Sequence, residues 1–463
     1  MNIKTLTIKE YLERKDLDAI TLLNEMKKNY EKNTNLNILV ESWFDNAIKQ
    51  AKDNPKLIPV AIKNNFLLKG KKTTAASNIL KHFVAPYTST VIDRLDYHDC
   101  VFVGSCNMDE FAFGSSGKTS CYGPTISNWK DINGNLMCPG GSSSGSAVAL
   151  SSDLCLASTG SDTGGSVRLP AAYCGVVGLK PTYGVLSRYG IVDFSSSLDC
   201  PGLFTKTVED SEFLFSKVVG FDENDYTSVN YEAQKSNKVV GVLVNEKDNE
   251  ETKQNIKSCI KVLEENGYQI KEIKIDLLEY MVPCYYVLST SEAASNLSRY
   301  SGIFYNSDYD NSKDCYLDYR SEFFGEEVQR RIVTGNFMMF CGNMEGFYNK
   351  ARKIISKVWE NLKPQIENCD FVISPVSHGT APTMKEVNNF DPVKLYMEDI
   401  YTCFLNLIGL PGISIPVNLS KINSMPLAVQ LFSKPFGENL MFEGGKILEK
   451  EFNFLNKIGG LNV

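Results

Sequence analysis

Short apolar runs, each long enough only for a buried β-strand and each separated from the next by a stretch with helical spacing, recur along this chain. Ile58-Pro59-Val60-Ala61-Ile62 and Cys100-Val101-Phe102-Val103-Gly104 are each closed by Lys or Gly, as strands buried on both faces are. Similar signals return at Val239-Val240-Gly241-Val242-Leu243-Val244, Phe371-Val372-Ile373, Gly412 to Val417 and Leu427 to Leu431. Between them, Leu22, Leu23, Met26 and Tyr30 mark one face of a helix, so that residues 1 to about 50 read as helical. A charged helix is expected from about Glu250 to Asn266, and a helix-rich section from about Leu277 to Leu362. Strands alternating with helices predict an α/β fold with a large, mostly buried sheet.

The chain can fill such a core, because 43% of its 463 residues are hydrophobic and 22% are charged. A net charge of −7 argues against a broad basic surface for nucleic acid, so any RNA is expected to be gripped by a partner. No apolar run reaches 18 residues, and the first twenty residues carry Glu10, Glu13 and Asp16 with no apolar stretch. The expectation is therefore a cytoplasmic protein, with the mitochondrial matrix as the alternative. Thirteen scattered cysteines without a CxxC pair imply reduced thiols. Only His82, His98 and His378 are available for a zinc site or a histidine proton relay, and none lies in a motif.

The chemistry concentrates in two glycine-serine segments, Gly140-Gly141-Ser142-Ser143-Ser144-Gly145-Ser146 and Gly160-Ser161-Asp162-Thr163-Gly164-Gly165-Ser166-Val167-Arg168, which read as loops flanking the apolar stretch Ala147 to Leu156. A lone Gly/Ser run is usually a linker, but a linker is not embedded twice between apolar elements. Neither segment contains GK[ST] or GxGxxG, so a phosphate loop fits poorly. Successive backbone N–H groups from Thr163 through Gly164 and Gly165 to Ser166 can instead face the oxyanion formed when a serine attacks a carbonyl. A serine needs a proton acceptor. With histidine scarce, a lysine can serve if burial lowers its pKa, and Lys63 closes the apolar run Ile58 to Ile62; the plainer alternative is that Lys63 caps a strand.

Three motifs in order, Pro59-Val60-Ala61-Ile62-Lys63-Asn64-Asn65, Gly140-Gly141-Ser142-Ser143 and Gly160 through Ser166 to Ala171, resemble the amidase signature family. In that family the lysine ends a strand, the first serine after the double glycine relays protons from a cis peptide, and the nucleophile follows 24 residues later, as Ser166 follows Ser142 (166 − 142). The resemblance implies the amidase signature fold: a large mixed sheet covered by helices on both faces, in one domain over residues 1–463. Residues 1–50 would be a helical N-terminal segment and 51–220 would carry the catalytic motifs. Residues 221–463 would complete the sheet with a helical glutamine-binding section. It further implies a Ser-Ser-Lys triad with Ser166 as nucleophile, Ser142 as relay and Lys63 as base, an oxyanion hole from Thr163, Gly164 and Gly165, and no metal.

Finer motifs are similar to one branch of that family, the glutaminase subunits of tRNA-dependent amidotransferases. They include Asn107-Met108-Asp109-Glu110-Phe111, Lys180-Pro181-Thr182-Tyr183-Gly184 and Ser291-Glu292-Ala293-Ala294. That similarity implies free glutamine as substrate, held by Tyr285 (or its neighbour Tyr286), Arg331 and Asp399. It also implies a heterotrimer with B and C subunits, in which B uses ATP and magnesium to amidate charged tRNA. Two alternatives stand beside it, a free-standing amidase acting on another amide and a partner-binding scaffold without catalysis. Asn64, Ser144 and Leu169 depart from the family pattern without touching the triad positions. The sequence leaves open a bacterial or organellar host, and Glu-tRNA(Gln) or Asp-tRNA(Asn) as acceptor.

Overall fold

Why the central strands carry so many apolar side chains is visible in their surroundings, since a strand covered on both faces has no side for water. The computed structural model describes residues 3–245, 248–301, 305, 317–391 and 396–459. Eleven strands lie in one sheet: β1 (Leu39–Ser42), β2 (Ile58–Lys63), β3 (Cys100–Cys106), β4 (Ala157–Asp162), β5 (Val177–Lys180), β6 (Cys200–Thr205), β7 (Val239–Val242), β8 (Gln269–Glu272), β9 (Phe371–Pro375), β10 (Gly412–Leu419) and β11 (Pro426–Phe432). Their order is β1-β3-β2-β4-β6-β5-β10-β11-β9-β7-β8. The sheet is mixed: β2 runs parallel to β3 and β4, and β7 to β8 and β9, while the central pairs from β4 through to β9 are antiparallel.

Alternation along β9 shows how both faces are covered. Phe371 and Ile373 join one apolar cluster, with Leu22, Met26, Ile256, Leu263 and Met441. Val372 joins the other, with Met281, Tyr285, Val358 and Leu362. Helices Ala19–Lys32, Glu250–Glu265 and Glu438–Phe452 therefore pack against the first face, and helices Met281–Asn296 and Lys350–Ile366 against the second.

Two expectations change. The first fifty residues are not wholly helical, because β1 pairs antiparallel with β3 between helices Ala19–Lys32 and Phe44–Gln50. The segment from Gly160 to Asp162 is not loop but the end of β4, buried between β2 and β6. Small polar residues suffice there because neighbours use their hydroxyls: Thr159 Oγ1 accepts from Lys63 N at 3.1 Å, and Ser158 Oγ donates to Ser146 O at 2.8 Å.

At the end of β4 the chain turns into helix Arg168–Cys174 around a fully buried ion pair. Arg168 Nε and Nη2 meet Asp162 at 3.0 and 2.8 Å. Its remaining donors reach Gln430 Oε1 on β11 at 2.8 Å and Asn406 Oδ1, in helix Cys403–Leu407, at 2.7 Å. Burial works to raise Asp162, yet the guanidinium overcomes it and holds the carboxyl down to about 2. Removing the arginine leaves an unpaired buried anion, so Arg168→Met is expected to destabilise the fold by about 3–5 kcal/mol, read from urea unfolding. A loss below about 1 kcal/mol, the level of an exposed pair, refutes this role.

Candidate active site

Lys63 is the last residue of β2, and its side chain is fully buried among hydroxyl groups. Its Nζ lies 2.8 Å from Ser142 Oγ, 2.8 Å from Ser161 Oγ and 3.2 Å from Ser161 O. Ser161 is held in turn by Asn65 Nδ2 at 3.0 Å. Burial brings the amine down to about 7, outweighing the pull of Asp109, Asp162 and Asp199 in the other direction. A lysine in this state can accept a proton near neutral pH.

Ser142 and Ser166 come from different turns. The Gly141–Ser142 peptide is cis, and helix Ser144–Ser151 begins two residues after Ser142. Ser166 sits in the turn that joins β4 to helix Arg168–Cys174, and the two turns are tied by Ser143 N–H donating to Ser166 O at 3.2 Å. Among the described residues Ser166 Oγ makes no hydrogen bond, and the pair that is formed is Lys63–Ser142. Ser166 keeps 8% exposure where Lys63 and Ser142 have none, which places its hydroxyl at the surface of the site.

The backbone beside Ser166 differs from expectation at one residue. Gly165 N–H donates to Asp162 Oδ1 at 2.9 Å, so it is not aimed at a substrate oxygen. The N–H groups of Thr163, Gly164 and Ser166 make no hydrogen bond among the described residues. Gly165 has φ of +136°, and a Cβ there would lie 2.3 Å from Thr402 Oγ1, which explains the glycine. Thr402 Oγ1 donates to Gly164 O at 2.7 Å, and Thr163 Oγ1 donates to Asp199 Oδ1 at 2.6 Å. The turn is thus held from both sides.

Tyr285 packs against the turn at Gly164, where an added Cβ would lie 2.5 Å from Tyr285 Cζ. The neighbouring ring, Tyr286, stands at 80° to it with centroids 5.1 Å apart, and faces Arg331 at 5.1 Å. Both tyrosines therefore line the site, Tyr285 at the serine end and Tyr286 at the guanidinium. Arg331 is buried in helix Glu326–Met339 and also has Phe113, Phe194 and Tyr396 around its guanidinium, at 5.3 to 5.7 Å. Asp399 is buried nearby and receives no side-chain hydrogen bond among the described residues. Burial raises its carboxyl to about 8, although Arg331 pulls it down. A cavity of about 380 Å³ opens on Arg331 and Tyr396 and is walled on its other side by Ser115 and Ser116. It reaches the guanidinium rather than Ser166 itself.

The departures from the family pattern have structural roles. Asn64 donates to Ser105 Oγ and accepts from Thr74 and Ala76, and Leu169 is packed with Trp129 and Tyr173. Ser144 is buried against the 117 turn. Sequence reading left Ser161, Asp162, Arg168, Thr402, Tyr396 and Glu327 without roles. Ser161, Asp162 and Arg168 stood inside the quoted motif, Tyr396 and Thr402 three residues either side of Asp399, and Glu327 one helical turn before Arg331, but nothing local gave Glu327 and Tyr396 a common role. No group of three or more His, Cys, Asp or Glu residues able to hold a metal occurs among the described residues, and no helix there is long and apolar enough to cross a membrane.

The profile of one protein family, Amidase, matches residues 21–442. The A subunit of the glutamyl-tRNA(Gln) amidotransferase of Campylobacter lari is 38% identical over 460 residues, covering 96% of this chain and 98% of that protein. Its counterpart in Thermoanaerobacter pseudethanolicus is 37% identical, covering 98% and 96%. The crystal structure of the same amidotransferase component from Thermotoga maritima superposes with a TM-score of 0.80 at 33% identity, over 97% of this chain and 95% of that one. At 20% identity and a TM-score of 0.82, 6-aminohexanoate cyclic dimer hydrolase shares the fold over 98% of both chains. With its Lys63–Ser142 pair, its glycine-lined serine turn and a family match spanning nearly the whole chain, this protein belongs to the amidase family.

Proposed function

We propose that the chain is the glutaminase component of a tRNA-dependent amidotransferase. It hydrolyses the side-chain amide of free glutamine to glutamate and ammonia, and the ammonia converts Glu-tRNA(Gln) to Gln-tRNA(Gln) for protein synthesis. The observation that carries this reading is a buried amine on a serine hydroxyl at one end of the site, with a buried guanidinium at the other and a carboxyl that has no hydrogen-bond partner among the described residues. The first pair suits amide cleavage, and the second suits the carboxylate and ammonium of an amino acid. The names of the relatives that cover nearly the whole chain support the same substrate.

Ser166 Oγ attacks the amide carbon while its proton passes through Ser142 Oγ to neutral Lys63 Nζ. The oxyanion takes hydrogen bonds from the free N–H groups of Thr163, Gly164 and Ser166; one such donor is worth about 2.7–4 kcal/mol at the transition state. Lys63 returns the proton through Ser142 to the departing nitrogen, so ammonia leaves neutral. Water then attacks the acyl ester by the same relay and releases glutamate. Arg331 holds the α-carboxylate, Asp399 the α-ammonium, and Tyr285 the side chain that leads from them to the amide at Ser166. The B and C subunits complete a heterotrimer in which B supplies the ATP- and magnesium-dependent activation of the charged tRNA.

Ammonia release from glutamine, assayed with and without B and C subunits and charged tRNA, tests the reading. Ser166→Ala is expected to abolish release, and full activity in that variant refutes the assignment. Turnover in the isolated chain on other amides, with none on glutamine in any assembly, supports a free-standing amidase instead.

The pH profile is a second test. Lys63 must be neutral to take the proton, so kcat is expected to fall about tenfold per unit of pH below about 7 and to level off above it. Asp399 must be ionised to meet the ammonium, so KM is expected to rise as the pH falls below about 8. A flat kcat between pH 5 and 8 contradicts the role of Lys63.

A further inference from the structure

A buried arginine can meet a carboxylate through either of two edges, and the neighbours of Arg331 leave one of them closed. Its Nε donates to Glu327 Oε1 at 2.8 Å, one helical turn earlier on the same helix. The same oxygen accepts the hydroxyl of Tyr396 at 3.0 Å, and Glu327 Oε2 takes Arg330 Nη1. Tyr396 lies flat on Tyr286, with ring centroids 4.0 Å apart and planes at 28°. Four rings hem in the guanidinium, and Nη1 and Nη2 make no hydrogen bond among the described residues. The rings restrict where the group sits but supply no acceptor that fixes its rotation, which leaves that to Glu327. Its side chain is only 13% exposed and lines the same cavity as Arg331 and Tyr396.

We infer that Glu327 is the positioning residue that turns the Nη1/Nη2 edge of Arg331 toward the substrate α-carboxylate and, through Tyr396, sets the aromatic wall beside it. This rests on the glutaminase reading above. Glu327 also gives Arg331 a counter-charge while the site is empty, so that a buried cation is never left unpaired. Because the carboxylate end is remote from the reacting bond, Glu327 governs the affinity for glutamine and not the proton relay.

Three variants measured in the assembly that shows glutaminase activity test this. Glu327→Ala is expected to raise the KM for glutamine about 10- to 100-fold with kcat within about threefold, the size of a lost hydrogen bond to a charged group. Glu327→Gln, which keeps an oxygen acceptor, is expected to restore most of that affinity. The rate at which a small alkyl fluorophosphonate labels Ser166 needs the triad but no carboxylate site, and is expected to be unchanged in both. A Glu327→Ala variant that loses labelling in step with glutamine turnover gives Glu327 a merely structural role and overturns the inference. So does an unchanged KM in Glu327→Ala while Arg331→Ala raises it, an outcome that leaves the substrate reading intact. Should Arg331→Ala leave the KM for glutamine unaltered, the substrate reading itself falls, and the inference with it.

Discussion

Asp162 is an anion without solvent contact, and the fold accommodates it because Arg168 meets both its oxygens. The pair fixes more than a charge. Asp162 also accepts from the N–H groups of Gly165 and Val167, so the chain winds around its carboxylate, and Ser166 is the residue at the outside of that winding. Arg168 then ties the turn to β11 and to Asn406, so that segments 262 and 238 residues away in sequence share one network. The Ser166 turn inherits the rigidity of the sheet, which on the proposed reading is what preorganised donors require.

The same carboxylate acts on the amine. An isolated carboxylate near Lys63 would favour its charged form, and Asp109, Asp162 and Asp199 all act in that direction. Burial nevertheless wins, and it also raises both Asp109 and, to about 7, Asp199. Three hydrogen-bond partners on Ser142 and Ser161 satisfy the amine without adding charge. A base poised near neutrality is thus a property of the packing around β2 and β4.

Where sequence and structure agree, the signal was physical and local. The runs at 58–62, 100–104, 371–373, 412–417 and 427–431 lie within strands, and the run at 239–244 does so as far as Val242, because continuous apolar runs have few other uses at that length. β4 escaped because Ala157-Ser158-Thr159-Gly160-Ser161 is as polar as a loop, and only its cross-strand hydroxyl contacts make it tolerable in a buried sheet. β1 escaped because a four-residue edge strand between helices carries almost no period. The Gly165 amide was misread for a related reason: a run of glycines shows that N–H groups are accessible, but not which of them an aspartate three residues back will take. Glu327 and Tyr396 come together across 69 residues through a helix face and a separate segment, a proximity that only folding creates.

On the proposed reading, charge balance also explains why a zwitterion suits this site better than a simple amide. With the site empty, Arg331 is countered by Glu327, while burial favours the neutral form of Asp399 below about pH 8. A bound α-carboxylate adds a second anion to Arg331, and the α-ammonium stabilises the ionised form of Asp399, so glutamine brings one opposite charge for each group it meets. A neutral amide would fill the same volume but leave the free edge of Arg331 desolvated and without an acceptor. Discrimination of this kind needs no contact at the reacting bond, so on this reading selection of the amino acid and the proton relay are carried by separate ends of the site.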